Sequence, residues 1–353
     1  MNLNKWLIRR SFNAKVRASV WKKVAVQIRH GITFYSAIEM LRDRARRKKK
    51  RVAAVYDHIL RVSQTGGNIQ SALVGWASSE EIMLISAGEK QDLAYGLRLA
   101  WQMLNSKGAI RKQVIGAAAY PIFLLLLCIG VLCIISFILV PEFTKMLPPE
   151  RWTGVAGALL MLSDFVASVY GAAVGIAILV LAAVIFFTLP VWTGRLRVFA
   201  DKYAPWSIYR EVVGSSWLFS VATLMSAGIQ PRQIFSENLA SRTCSPYLRE
   251  RISAIDYQMG LGNNLGESMS NAGMNFPSED VVEDMCAYAQ LPHLEEQITA
   301  IAEEQMENCI EGVKAKMKTI QTLMMFTVVG LILFVIISVF TLQSSLGQGG
   351  PGM

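Results

Sequence analysis

Histidine, cysteine and charge are all scarce in this 353-residue sequence, and each scarcity excludes a class of function. The three histidines, His30, His58 and His293, lie far apart along the chain, which argues against a histidine-based metal or acid–base site. The five cysteines, Cys128, Cys133, Cys244, Cys286 and Cys309, include no C-x-x-C pair, so zinc, redox and disulfide frameworks are unsupported. The phosphate-cradling glycine loops of the Walker and dinucleotide kinds are missing, as are the metalloprotease and serine-hydrolase signatures. The expectation is a protein that is not an enzyme, has no catalytic residues, binds no metal or cofactor and hydrolyses no ATP. Charged residues make up 17% of the chain, where soluble domains carry about a quarter. The 53% hydrophobic content and the mean hydropathy of +0.36 lean toward a membrane protein.

Three apolar runs are long enough to cross a bilayer, which takes about 20 residues. No formal charge falls between Lys112 and Glu142, and Ile115 to Val140 is apolar almost throughout. A second run follows Asp164 and ends near Gly194, centred on Tyr170 to Leu189; a third follows Lys318, with Leu323 to Leu342 as its span. Soluble helices are rarely apolar all round for such lengths. Pro121 lies early in the first span, where it removes a helix hydrogen bond and favours a kink; Pro141 is expected to end the span. Asp164 precedes the apolar centre of the second span, so a hydrated position at the membrane interface is expected for it.

Lys and Arg far outnumber Asp and Glu over residues 1–113, and Met1 to Arg10 is too short an apolar stretch for a secretory signal. Arg195, Arg197 and Lys202 follow the second run, and Lys314, Lys316 and Lys318 precede the third. Every basic flank therefore falls on one side. The expected order is a cytoplasmic helical domain over residues 1–113, a first span over 114–140, and a short external loop over 141–155. A second span follows over 165–194, then a cytoplasmic domain over 195–318, a third span over 319–342 and an external tail over 343–353.

The two internal regions read as divergent copies of one unit. His30-Gly31-Ile32 in the first corresponds to Ala227-Gly228-Ile229 in the second, with the glycine suited to a helix C-cap that turns the chain back. Gly66-Gly67-Asn68-Ile69 parallels Gly262-Asn263-Asn264-Leu265. Each copy then has an acidic helix start, Ser79-Glu80-Glu81 and Ser278-Glu279-Asp280, and a closing amphipathic helix. Leu93, Leu97, Ala100, Trp101 and Leu104 form one apolar stripe; Ile298, Ile301, Ala302, Met306, Cys309, Ile310 and Val313 form the other. No alternating strand pattern competes. The fold class is all-α: two repeated helical bundles and three transmembrane helices.

The most polar feature is the run Arg42 to Arg51, in which Arg44, Arg46, Arg47, Lys48, Lys49, Lys50 and Arg51 are candidate contacts for a partner. It suits a solvated helix flank, anionic lipid headgroups or an acidic protein surface. Nucleic acid is disfavoured, since no aromatic residues interleave for base stacking.

With these features, the chain resembles the inner-membrane platform family of type IV pili and type II secretion systems, the general secretion pathway F-like proteins. The likeness spans nearly the whole chain. Locally it rests on Gly31-Ile32, Gly228-Ile229, Ala87-Gly88-Glu89, Tyr120-Pro121 and Val140-Pro141-Glu142-Phe143. After Gly88-Glu89 the family tends to have a second glycine before a leucine. Here Lys90-Gln91-Asp92-Leu93 follows, one residue shorter, and the second copy has Ala289-Gln290-Leu291-Pro292-His293 in place of the Gly-Glu pair. These departures and the short external loop look more like the type IVb pilus branch. The resemblance implies a scaffold, often a homo-oligomer, in the bacterial inner membrane, its N-terminus cytoplasmic and its C-terminus periplasmic. Its implied partners are a cytoplasmic assembly ATPase, pilin subunits and other inner-membrane assembly proteins. By that likeness Glu89 joins the basic run as a contact for the ATPase, while Tyr120, Pro121, Pro141, Glu142 and Phe143 would meet pilin in a membrane groove. A transporter or another multi-pass membrane protein with cytoplasmic helical domains is the alternative, but the first and third spans offer little beyond Ser136, Thr327 and Ser338 as polar residues for a path.

Overall fold

The computed structural model describes residues 3–90, 92–241, 244–288 and 294–348, and regular structure among them is helical throughout. The helices are α1 (Leu3–Ser11), α2 (Ala14–Arg29), α3 (Phe34–Arg47), α4 (Ala53–Gln64), α5 (Ile69–Leu73) and α6 (Ser79–Lys90). They continue as α7 (Leu93–Ile134), α8 (Val140–Met146), α9 (Gly154–Ala167), α10 (Val169–Thr188) and α11 (Arg195–Ala200). The last six are α12 (Trp206–Ser226), α13 (Pro231–Ala240), α14 (Pro246–Gly260), α15 (Leu265–Asn271), α16 (Glu279–Tyr288) and α17 (Leu294–Gln348). They form two compact units: Met1–Lys112 with Leu189–Ile310, and Gln113–Thr188 with Glu311–Met353.

The first unit contains the repeat. Helices α2 to α7 recur in order as α12 to α17, and the local chemistry recurs with them. At the end of α2 the Gly31 amide donates to the Ile28 carbonyl and the Ile32 amide to Gln27. At the end of α12 the Gly228 amide donates to Met225 and the Ile229 amide to Leu224. Both are Schellman caps, and φ is +84° at Gly31 and +78° at Gly228, a region that costs a side-chain-bearing residue strain. The Asn68 and Asn264 side chains accept from the amides of Ser71 and Glu267 and so start α5 and α15 in the same way. The acidic helix starts align one residue earlier than the sequence pattern gives. Ser78, not Ser79, is the counterpart of Ser278, because their hydroxyls accept from the amides of Glu81 and Val281.

Each bundle is closed by the first part of a long helix. Leu97, Ala100, Met103 and Leu104 of α7 are buried, as are Ile298, Ile301, Ala302 and Cys309 of α17, so both sequence stripes face cores. The approach of α6 to α7 sets the meaning of Ala87-Gly88-Glu89. A Cβ on Gly88 would lie 2.8 Å from the Cα of Gly96, and one on Gly96 would lie 2.5 Å from the Leu84 carbonyl oxygen. Two glycines let the backbones cross where no side chain fits. Helix α6 also packs against α12 and α13, joining the two repeats. The Ala289–His293 segment lies outside the described residues.

The second unit holds the remainder of α7 and α17 together with α8, α9 and α10. By length and hydropathy three helices reach membrane-spanning size, Leu93–Met146, Val169–Thr188 and Gln297–Ser344. Pro141 does not end its helix as the sequence suggests. Residues Ile135–Leu139 form one π-helical turn, the Val140 amide donates to Ile135, and the helix continues through Pro141 to Met146. A π turn before a proline accommodates the ring and the missing amide, so the chain stays helical. The segment expected to be an external loop is correspondingly shorter, and the residues after it form α9 rather than the start of the second span. Asp164 falls on α9, exposed, ahead of α10. The carbonyl of Ser136 in the π turn accepts from the Ser163 hydroxyl at 3.4 Å, and the Ser338 hydroxyl donates to Val155. Ile135, Val140, Trp152, Ala156, Leu159 and Leu342 form the core of this unit.

Two outcomes follow. Gly31→Val and Gly228→Val should each cost about 1–3 kcal/mol, the range for a strained left-handed residue. They should lower the midpoint of thermal unfolding of the full chain in detergent, followed by far-UV circular dichroism. Burial pushes the Tyr56 phenol up to about 12, while an unfolded tyrosine ionises near 10. Above about pH 10 the unfolded chain therefore loses this proton first, and stability falls as pH rises toward 12. Tyr56→Phe should flatten that alkaline limb in urea melts and leave the neutral range nearly unchanged.

Candidate interaction surfaces and buried polar clusters

The basic run occupies the last turn of α3 and the corner into α4. Arg44, Arg46 and Arg47 lie in that last turn, where cations suit the partial negative charge of a helix C-terminus. Lys49 adopts φ +49° and caps the helix, its amide donating to Arg46 and that of Lys50 to Ala45. Arg46 is partly engaged, its guanidinium 2.7 Å from Asp57, and Arg42 pairs with Glu39 and Asp43. Arg44, Arg47, Lys48, Lys49, Lys50 and Arg51 are exposed. Among the described residues no carboxylate pairs with them. Glu89 is exposed near the end of α6 and makes no bond to the run among the described residues.

The membrane-groove candidates do not converge. Tyr120 and Pro121 are in the body of α7, which passes through Pro121 unbroken, while Pro141, Glu142 and Phe143 open α8. Twenty residues of helix separate the two groups by roughly 30 Å. Pro121 is buried and Tyr120 exposed; Phe143 is half-buried against the core of the second unit, and Glu142 is exposed and paired with Lys145 at 2.7 Å. Gly31 and Gly228 act as caps, as described above.

Two buried polar clusters join residues that lie far apart in the sequence. In the first repeat, Glu81 is fully buried and paired with Arg17 at 3.0 Å. It accepts from the Trp21 indole at 2.8 Å and from the Ser78 hydroxyl at 2.8 Å. In the second repeat Asp201 is fully buried between Arg197 and Arg251, and the Tyr247 hydroxyl donates to it at 3.1 Å. The Arg251 guanidinium lies 3.6 Å from the centre of the Tyr247 ring, a cation–π contact. Burial pushes the Tyr247 phenol above its ordinary value against the opposing pull of Arg251. Burial likewise draws Arg197 down while Asp201 pulls it back up. Arg197 is therefore not the basic flank expected after the second span: Arg195 and Lys202 are exposed, but Arg197 faces inward. The same cluster fastens the chain leaving α10. The Gly194 amide donates to Glu250 at 2.8 Å, the Tyr247 amide donates to the Pro190 carbonyl, and Glu250 pairs with Arg251. The i, i+4 spacing of Arg197 and Asp201 is the one sequence signal that could have suggested a pair.

Together these features define a class of protein: two repeated helical bundles, each running into a membrane-length helix, with a third such helix between the copies. A family model for type II secretion system protein F matches residues 22–141 and 217–342, and the chain belongs to that family. Each match covers one bundle with its long helix, leaving α9 and α10 outside the repeat. The chain is also similar to toxin coregulated pilus biosynthesis protein E of Vibrio cholerae, 21% identical over 329 residues, which is 89% of this chain and 86% of that protein.

Removing one member of a buried charge cluster leaves the others uncompensated, typically at about 3–5 kcal/mol. Asp201→Ala should therefore destabilise the full chain by that order in thermal melts in detergent, well beyond the effect of Glu142→Ala, whose pair is exposed.

Proposed function

We propose that this protein is the inner-membrane platform of a type IV pilus assembly machine, coupling a cytoplasmic ATPase to the insertion of pilin subunits into a fibre. The observation that carries the reading is the doubled unit of bundle plus spanning helix, which the family match covers in both copies. The similarity to a pilus biosynthesis protein favours piliation over secretion. In this reading both bundles face the cytoplasm, the turn near Pro149–Arg151 and the C-terminus face outward, and the exposed cations at the α3–α4 corner meet an acidic surface of the motor. Helix α10, none of whose residues is fully buried among the described residues, presents most of its circumference to lipid, pilin or a second copy. The energy comes from the partner, and the platform converts it to displacement in the membrane.

The test reverses Arg47, Lys48, Lys49 and Lys50 to Glu and spares Arg46, which is tied to Asp57. The variant is scored for membrane level, topology by reporter fusions near residues 145 and 260, co-purification of the ATPase, and fibre formation. The expected result is normal insertion with the 145 fusion outside and the 260 fusion inside, weakened co-purification, and loss of most fibres. Because exposed charges are screened within about 8 Å at physiological salt, raising the salt should weaken the wild-type complex in the same direction. Normal fibres with undiminished co-purification would remove the docking role from this corner. Inverted topology would reduce the cluster to an insertion signal.

A further inference from the structure

The basic run is one wall of a groove that the linear sequence does not reveal. The opposite wall is α2, which contributes Lys15 and Lys23 across from Arg44, Lys48, Lys50 and Arg51. These six cations come from two separate stretches of chain, and no carboxylate lines the groove. Between the walls runs an apolar floor: Val16 and Leu41 are half-buried and reachable, with Val20, Val52 and Tyr56 beneath them. The groove has a volume of about 630 Å³. Its α2 wall runs from Lys15 to Lys23, about two helical turns or roughly 12 Å.

A groove with cations on both rims and hydrocarbon between them is the complement of a short acidic amphipathic helix, apolar stripe downward and carboxylates to either side. A bare phosphate has no use for the floor, and a nucleic acid would need exposed aromatic faces, which the groove lacks. We propose that this groove binds an acidic amphipathic helical segment of a soluble protein partner, with Lys15 and Lys23 as essential as the basic run. The proposal rests on the platform reading in that it gives the docking corner a second wall and a shape. Apolar contact along Val16 and Leu41 supplies specificity that charge alone does not, while the cations speed and orient the encounter.

The experiment titrates the full chain in detergent with a fluorescein-labelled synthetic peptide of about five turns, leucines at i, i+3, i+4 and i+7 and glutamates at the flanks, read by anisotropy. The comparison probes are a shuffled peptide of identical composition, inorganic tripolyphosphate as competitor, and nanodiscs rich in phosphatidylglycerol. The expected result is at least tenfold tighter binding of the patterned peptide than of the shuffled one, lost tenfold or more in Lys15→Glu/Lys23→Glu. In Val16→Ser, whose charge is unchanged, the preference for the patterned peptide over the shuffled one should fall several-fold. Unchanged circular dichroism melts establish that the variants are folded; Lys15 and Lys23 are exposed and Val16 is half-buried. Equal binding of both peptides, full displacement by tripolyphosphate at equal charge, or a nanodisc preference that outcompetes the patterned peptide would each overturn the proposal. Fibre formation scored in the same variants separates the two readings. Fibres lost without patterned-peptide selectivity would sink the groove and leave the platform standing. A chain dispensable for fibres would sink the platform, with the titration still deciding the groove.

Discussion

Two helices that change solvent along their length hold this fold together. In α7 a stripe of Leu97, Ala100 and Met103 seals a helical bundle, and beyond Lys112 no charge appears until Glu142. Helix α17 repeats the arrangement with Ile298, Ile301 and Ala302 ahead of an apolar run from Leu323. Only a helix can make that passage, because it satisfies its own backbone in both media. The helices α2 to α6 and α12 to α16 have the first parts of these two helices as members of their cores, while the remainders of α7 and α17 belong to the second unit.

Within that shared plan the copies are locked differently. The first places a carboxylate, Glu81, at the start of α6, where it gathers Arg17 and Trp21 of α2. The second has Val281 at the matching cap position and moves its buried carboxylate to Asp201, beneath Arg197 and Arg251. The frame of caps at Gly31 and Gly228, Asn68 and Asn264, and Ser78 and Ser278 is common; the polar core is not. The π turn at Ile135–Leu139 likewise accompanies Pro141 in the first copy, while α17 runs as plain α-helix through Leu342, where the second family match ends.

The sequence carried the architecture well because its signals are local or periodic. Uninterrupted hydrocarbon marks the spans, glycine after an amphipathic stretch marks the caps, and recurrence of the same order exposes the repeat. What it hid was long-range. Glu81 looks like a solvated residue in an acidic helix start until the fold sets Arg17, 64 positions away, against it. Arg197 looks like a positive-inside flank, yet it pairs with Asp201 in a buried cluster completed by Arg251, 50 positions from Asp201. The usual effect of Pro141 is to end an α-helix, whereas here a π turn precedes it and the helix continues. Lys15 and Lys23 are too thinly spread along α2 to register as a cluster, and only the antiparallel return of α3 sets them opposite Arg44 and Lys48. Gly96 shows its purpose only against Gly88, since a crossing of two backbones leaves no periodic trace.

The attachment of Pro190 and Gly194 to α14 has a mechanical consequence. A tension applied where the chain leaves α10 meets the Tyr247 amide, Glu250 and, through Asp201, Arg251 before it can reach α12. Three attachments, at Pro190, Gly194 and Asp201, hold the chain to α14 before α12 begins, so a pull on this segment is carried into α14 as well as along the chain toward α12.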